Sequence, residues 1–473
     1  MKLQQRSLLL IVLIVIIPLI VFFSFCPISR THSGSFGKVK RVVFITIDTL
    51  RADHLASYGY EREVSPFINS LARRGVSFKK AFTAAPHTAP SHATMFTGLY
   101  PFEHNLLKNY DSLDPATYSL HKFAHELGFN VQGFPAVKFM EGRIGFPFVE
   151  GITNGKDKNF KKFWYRNAQN VVDNSLAWLD SLHSSENFLI WAHFYDVHQW
   201  ERTKNFPKEY REKVNSLPQK EHLDFLKKDR GFSVEFFGSE EKSLNAINGY
   251  DARLLYVDDQ IKRIYDYLSS KGLLEETLWI ITSDHGEGLG NHGYKGHGEF
   301  LYQEQLHIPL IFFMKDTIES GRSLSELVRT VDLFPTIAEI LGSPIDPELH
   351  RLAGASLVPF IKGDAGLSIP YSFAERRPKD EISFRRSWED GEVYSLHNNQ
   401  GKYISHSHGV NQFYNLNEDP FETKNIEGSG GEVEIKIKNS LDTIFDPRKR
   451  KAPSSNGPET PEALDELKSL GYL

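Results

Sequence analysis

The chain has 473 residues, 40% of them hydrophobic, with a formal net charge of −5. That length suffices for one large or two unequal globular units with buried cores, and the slightly acidic balance offers no electrostatic basis for binding nucleic acid. The single cysteine, Cys26, excludes an internal disulfide and so says nothing about redox compartment.

Leu8 to Ile28 carries no charged residue, is dominated by Leu, Ile, Val and Phe, and follows Lys2 and Arg6. It is long enough to cross a bilayer as a helix. Residues 1–30 are therefore read as a single-pass signal anchor, which makes the membrane an expected partner. A cleaved signal peptide is the alternative, although the run exceeds the usual h-region and Phe25 before Cys26 is a poor cleavage site. Lys38, Lys40 and Arg41 on the far side weaken any orientation argument from charge.

Beyond the polar linker "THSGSFGK", strand-like and helix-like segments alternate. "RVVFITID", Arg41 to Asp48, is a continuous β-branched run ending in a carboxylate, as a doubly buried parallel strand requires. Helices are predicted at Pro66 to Arg74 and Ser91 to Thr97. "SLHKFAHEL" then leads into the strand "FNVQGF". A long helix from about Lys161 to Leu182 precedes the strand "NFLIWAHF". Leu254, Val257, Ile261, Ile264 and Leu268 mark one face of a helix that leads to "TLWIITSD". This order predicts an α/β fold with a mostly parallel sheet covered by helices on both faces, over residues 38–345.

The last part reads differently. "GEVYSLHNN", "GKYISHSH" and "FYNLNEDPFETKNI" suit a small antiparallel sheet with a C-terminal helix, so residues 346–473 are expected to form a smaller α+β part and a tail. "EGSGGE" and "KRKAPSSNGPETP" read as flexible connectors.

In an open α/β sheet, ligands gather beyond the carboxyl ends of the strands. "TID" delivers Asp48 there, "WAHFYDVH" delivers His193, Asp196 and His198, and "TSDHGEGLGNHGYKGHGE" delivers Asp284, His285, His292 and His297. Each has a plainer reading: Asp48 as a helix cap, the Asp284 to His297 stretch as a solvated glycine-rich loop, His198 as a hydrogen-bonded core residue. Together, apolar strands ending in Asp and His at several separate places are what a metal site with oxygen and nitrogen ligands needs.

"APHTAPSHATMFTGLYP", residues 85–101, resembles the sulfatase signature Cys-x-Pro-Ser-Arg followed by a small-residue helix and Thr-Gly-x-x-Pro. Thr88 stands at the cysteine position and His92 at the arginine position. With "ITIDTLRADHLASYGY", "YDARLLYVDDQI", "TSDHGEGLG", "VDLFPTIAEILG" and "YNLNEDPFETKNI", the order resembles that of sulfatase-like members of the alkaline phosphatase superfamily, over about Val42 to Ile426. The resemblance implies Asp48, Thr88, Asp284 and His285 at a primary metal, with Thr88 as nucleophile. In sulfatases the cysteine becomes a formylglycine; a threonine cannot.

Further departures bear on the metal. Thr49 replaces the second aspartate of many sulfatases, and His297 falls where they usually carry a lysine. Imidazole ligates zinc or manganese and an ammonium does not, so His297 joins the expected metal ligands and zinc or manganese is expected rather than calcium. The twelve-residue spacing of His285 and His297, and the five-residue spacing of His193 and His198, resemble the phosphoethanolamine transferases, threonine-nucleophile members of the same superfamily. Those carry several membrane spans and a glutamate at the position of Asp48.

By that resemblance Thr88, His198 and His297 are the expected catalytic residues, with His92, Lys138 and His193 contacting the substrate's oxygens. A threonine sulfate ester has no internal exit, whereas a phosphothreonine is opened by in-line attack of water or an acceptor. The expectation is a membrane-anchored hydrolase or transferase of phosphate esters or diesters, facing outside the cytoplasm. A sulfuric ester hydrolase and a non-catalytic binding protein are the alternatives. Trp200, Phe206 and the basic stretch up to Arg230 read either as an insertion that binds a sugar or lipid headgroup or as an ordinary surface loop.

Overall fold

Seven strands of one sheet carry every residue of the candidate site on their ends or connections. The computed structural model describes residues 36, 39–146, 165–202, 206–229, 232–318, 321–364, 366–376 and 391–445. The expected anchor, residues 1–30, lies outside the described residues. Among the described residues no helix is long and apolar enough to cross a membrane.

The strands in chain order are β1 (Arg41–Ile47), β2 (Val76–Phe82), β3 (Asn130–Phe134), β4 (Phe188–Phe194), β5 (Thr277–Thr282), the ribbon β6 (Gly288–Leu289) and β7 (Lys295–Gly296), then β8 (His307–Phe313) and β9 (Arg322–Arg329). The main sheet runs β3-β4-β1-β5-β8-β2-β9. β3, β4, β1 and β5 are mutually parallel, and β8 is antiparallel to both neighbours. Every residue of β1, β4 and β5 is buried, which is why these runs are continuously apolar rather than alternating. β1 lies at the centre, paired with β4 on one side and β5 on the other.

Helices cover the sheet where the 3.6-residue period predicts them. The helix Glu240–Ser270 buries Leu254, Val257, Ile261, Ile264 and Leu268. Pro66–Arg74 is a helix with Pro at its first position. Its free N–H groups at Phe67 and Ile68 donate to the two carboxylate oxygens of Asp258, at 2.8 and 2.7 Å. The helix expected from about Lys161 runs over Ala168–Asp180, and its predicted first residues up to 164 lie outside the described residues.

Three strands of the main sheet escaped the sequence reading. β2 holds the pair Lys79–Lys80 in its middle, β9 reads "RSLSELVR", largely polar, and β8 carries Pro309. Polar residues and a proline mask strand propensity, and β9 forms because it is an edge strand pairing only with β2.

Four further strands, β10 (Ser372–Arg376), β11 (Val393–His397), β12 (Gly401–His406) and β13 (Gln412–Asn415), form an antiparallel sheet, followed by the helix Gly431–Ile444. The described residues from 39 on group as one compact unit. The smaller sheet shares its core with the larger part: Phe373, Tyr394, Leu396 and Tyr403 cluster with Ala84, Tyr100 and Val331.

Trp200 and Phe206 serve packing. Trp200 is buried, and the Phe206 ring packs against Tyr210 and Tyr256 and under the Arg253 guanidinium at 4.5 Å.

Candidate active site

The carboxyl ends of β1, β4 and β5 meet above the sheet. Asp48 follows β1 directly, and its N–H donates to the Phe194 carbonyl at the end of β4, 2.8 Å away. The next residue, Thr49, has φ 60°, a left-handed backbone unusual for a β-branched residue and costing on the order of 1–3 kcal/mol. Two hydrogen bonds hold it there: Thr49 N–H donates to Asp284 Oδ1 at 3.2 Å, and Leu50 N–H donates to Ser283 Oγ at 2.9 Å. Gly286 must be glycine, since a Cβ would stand 1.9 Å from the Glu304 carbonyl oxygen.

Asp48, Asp284 and His285 are fully buried, and one ligand atom from each lies within 4.8 Å of the others. His285 Nε2 is 3.5 Å from Asp284 Oδ2 and 4.0 Å from Asp48 Oδ1. Its Nδ1 is 2.9 Å from the Gly286 carbonyl, so the proton is assigned to Nδ1 and Nε2 offers a lone pair to the cluster. Asp48 Oδ1 and Asp284 Oδ2 are buried without hydrogen-bond partners. Burial, together with the neighbouring Asp284 charge, pushes the Asp48 carboxyl well above its ordinary range. Two dry carboxylates with orphan oxygens beside a bare imidazole nitrogen fit a divalent cation, whose charge removes both penalties.

Thr88 opens the helix Thr88–Thr97, with Pro90 in its first turn. The helix starts three residues before the predicted Ser91, because proline is tolerated where no intrahelical N–H is needed. Thr88 Oγ1 lies 3.4 Å from Asp48 Oδ2 and 3.4 Å from His285 Nε2. Behind it, Ala89 N–H donates to Asn109 Oδ1 at 2.9 Å, and the Ser91 hydroxyl donates to the Asp284 carbonyl at 2.6 Å.

A second group of possible ligands, His92, His193 and Asp284, is also compact, but its imidazoles have no lone pairs to spare. His92 Nδ1 is 2.7 Å from the Thr88 carbonyl and Nε2 is 2.9 Å from Thr46 Oγ1. Trp191 Nε1–H donates to the same Thr46 oxygen at 2.8 Å, so the Thr46 hydroxyl donates to His92 Nε2. Burial lowers the His92 pKa to about 3, so the ring is neutral. His92 thus holds the Thr88 backbone, with both ring nitrogens engaged by protein groups. His193 Nδ1 accepts from Ala136 N–H at 3.2 Å, which leaves the proton on Nε2, 3.4 Å from Asp48 Oδ2. Burial lowers its pKa to about 4, and the buried Nε2–H has no acceptor within bonding geometry.

The remaining predicted residues stand further out. The His297 ring stacks on His285 with centroids 4.5 Å apart, and His198 meets His297 edge-on at 4.7 Å. His297 Nδ1 faces Glu287 Oε2 at 3.5 Å, and His297 is not part of the compact ligand group that the sequence expected it to join. His198 stacks on Tyr195 and has Nε2 3.2 Å from its hydroxyl; burial, then the adjacent His297, holds its pKa well below the ordinary value. Lys138, at the start of a short helix after β3, is exposed rather than within the buried cluster. Thr46, Asn109 and Glu287 were missed: only Glu287, in "DHGE", had a visible signal, and the other two act through contacts across the fold.

Residues 40–343 match the family described as Sulfatase, and residues 290–446 match that described as N-sulphoglucosamine sulphohydrolase, C-terminal. Arylsulfatase K of Mus musculus is 23% identical over 479 residues, covering 92% of this chain and 84% of the relative. Among solved structures, a phosphonate monoester hydrolase of Agrobacterium radiobacter superposes with a TM-score of 0.65 at 19% identity, over 86% of this chain and 95% of that one. A 2-O GAG sulfatase gives a TM-score of 0.67 at 21% identity, over 89% and 98%. The chain belongs to the sulfatase family, hydrolases of sulfate or phosphate esters, and carries a buried group of side chains that could hold a divalent ion.

Proposed function

We propose that the chain cleaves a phosphate ester or diester with the Thr88 hydroxyl as nucleophile, delivering the phosphoryl group to water or to an acceptor alcohol. The observation that carries this reading is the position of Thr88 Oγ1, 3.4 Å from both Asp48 Oδ2 and His285 Nε2. Asp48, Asp284 and His285 would hold a divalent ion, which when bound lowers the pKa of an adjacent hydroxyl and neutralises charge on the ester oxygens. The imidazole nitrogen, and Thr49 in place of a further carboxylate, favour zinc or manganese over calcium.

Thr88 Oγ1 forms the new P–O bond as the ester P–O bond breaks, and its proton passes toward Asp48 Oδ2. The His193 Nε2–H, buried without an acceptor, donates to a non-bridging oxygen. His297 is assigned as the proton donor to the leaving oxygen, with the neutral His198 ring beside it. In the second step the incoming O–H attacks phosphorus and passes its proton to His297, while the Thr88 P–O bond breaks and Oγ1 takes back the proton left at Asp48.

Sulfate ester hydrolysis is the second reading, favoured by the matched family. It meets the difficulty that Thr88 cannot become formylglycine, so an enzyme-bound sulfate must be displaced at sulfur. A non-catalytic scaffold is disfavoured by the retained ligand set. We also assign residues 8–28 as an anchor holding the domain outside the cytoplasm, on their largely apolar run without a charged residue. Turnover of aryl phosphate, phosphodiester and aryl sulfate by the metal-loaded protein and its Thr88→Ala variant tests the reading. Thr88-dependent sulfate turnover with no phosphate turnover would overturn it in favour of the second.

A further inference from the structure

A cleft of about 460 Å³ lies away from Thr88, between the connection after β1, strands β2 and β8, and the loops that follow β11 and β13. Its volume falls within the range of about 300–1,000 Å³ usual for small-ligand sites. It backs onto the candidate active site, because Arg51 in its wall donates to the Glu287 carbonyl and to Asn291 Oδ1, on the loop that carries His285 and His297.

The cleft carries an unbalanced positive charge. Its two acidic residues are spoken for: Asp53 pairs with Arg51 at 2.8 Å, and Glu304 pairs with His292 at 2.7 Å. Its two lysines meet only neutral acceptors. Lys79 Nζ donates to the Ser57 carbonyl, and Lys80 Nζ donates to Asn399 Oδ1 at 2.8 Å.

Unspent hydrogen-bonding capacity lines the same space. His397, at the end of β11 and only 2% exposed, has neither ring nitrogen hydrogen-bonded, and Gln303 Oε1 is buried without a donor. A neutral imidazole always carries one N–H and one lone pair, so His397 offers a donor and an acceptor together. The exposed amides of Asn399 and Asn417 stand at the rim. Groups that donate and accept side by side match vicinal hydroxyls, each of which does both. The Phe82 ring is already covered by His307 and His397, with centroids at 5.2 and 4.1 Å, and so offers a nucleobase no open face to stack on.

We propose that this cleft is a second binding site, separate from the Thr88 centre, for an anionic saccharide. Lys79 and Lys80 take its sulfate or carboxylate as point charges, and His397, Gln303 and the rim amides take its hydroxyls. The site would hold another part of a polymeric substrate or a regulatory glycan, and its existence does not depend on which ester Thr88 attacks.

Isothermal titration of the full chain with a sulfated glycosaminoglycan tetrasaccharide tests this. Wild type and Thr88→Ala should bind alike. Lys80→Glu should weaken binding at least tenfold and Asn417→Ala severalfold, with aryl ester turnover changed less than twofold. A neutral chitotetraose should bind at least tenfold more weakly, and equimolar inorganic sulfate should not compete. Lys80→Ala, with its melting temperature measured, covers the case in which the charge reversal fails to fold. Unchanged affinity in both Lys80 variants, loss of binding in Thr88→Ala, equal binding of the neutral sugar, or full competition by sulfate would each overturn the proposal. Absence of any ester turnover would defeat the hydrolase reading and leave this titration readable.

Discussion

Thr46 of β1 and Thr282 of β5 are register partners in the parallel sheet, so the residues two positions beyond each, Asp48 and Asp284, emerge side by side. Strands about 4.8 Å apart thereby bring two carboxylates into one dry space. The expected outcome is one divalent ion per chain, zinc or manganese, by elemental analysis. Asp284→Asn should reduce the bound metal to a small fraction. Calcium at full occupancy, or no loss in the variant, would contradict the assignment.

The same pair sets the response to chelation. Without a cation, the raised Asp48 pKa means that the second carboxylate is ionised only at a cost. A bound ion stabilises by about 2.7 kcal/mol when present at a hundred times its Kd. A chelator should therefore lower the melting temperature of wild type, whereas Asp48→Asn should melt at the same temperature with and without chelator.

Thr88→Ala should abolish turnover while metal content and melting temperature stay near wild type, because the three ligands remain. Thr88→Ser keeps the hydroxyl and should retain measurable activity. Rapid-quench detection of phosphate on Thr88 in wild type, and on the serine in the variant, checks the chemistry directly. Full activity in Thr88→Ala would remove the nucleophile.

His292 and Glu304 predict a pH effect. Burial opposes the imidazolium, but the Glu304 carboxylate and the Glu422 carbonyl outweigh it and hold the His292 pKa up at about 9, against 6.5 ordinarily. A folded pKa above the unfolded one means stability fully present below about pH 6.5 and lost as pH rises through about 9, on the order of 3 kcal/mol in all. Wild type should lose melting temperature between pH 7 and 9.5, and His292→Gln should lose distinctly less. Identical slopes would show that the pair does not titrate there.

Asp258 accepts from two N–H groups at the start of the helix Pro66–Arg74. Asp258→Ala leaves both donors buried and should destabilise by roughly 1–3 kcal/mol in urea unfolding, with turnover per folded molecule unchanged. A loss under about half a kcal/mol, the size usual for a surface substitution, would show that water replaces the carboxylate.

The continuous apolar runs of β1, β4 and β5, and the polar residues that follow them, were legible because a strand buried on both faces has no alternation to hide behind. Their ends delivered Asp48, Asp284 and His285 within a wider group of carboxylates and imidazoles, and the resemblance to the sulfatase motifs singled those three out as expected ligands. β2, β8 and β9 were not legible, since Lys79, Lys80, Pro309 and a polar edge are tolerated only once neighbouring strands supply the pairing. The roles of the histidines were also beyond the sequence. His92 and His193 differ from His285 not in residue type but in which backbone group meets Nδ1: the Thr88 carbonyl and an added Thr46 hydroxyl for His92, the Ala136 N–H for His193, the Gly286 carbonyl for His285. The chain itself determined the fold, through hydrophobic period, and the ligand candidates, through their places at strand ends. Only the tertiary structure decided which imidazole keeps a free lone pair, because a tautomer is set by partners that arrive from distant parts of the chain.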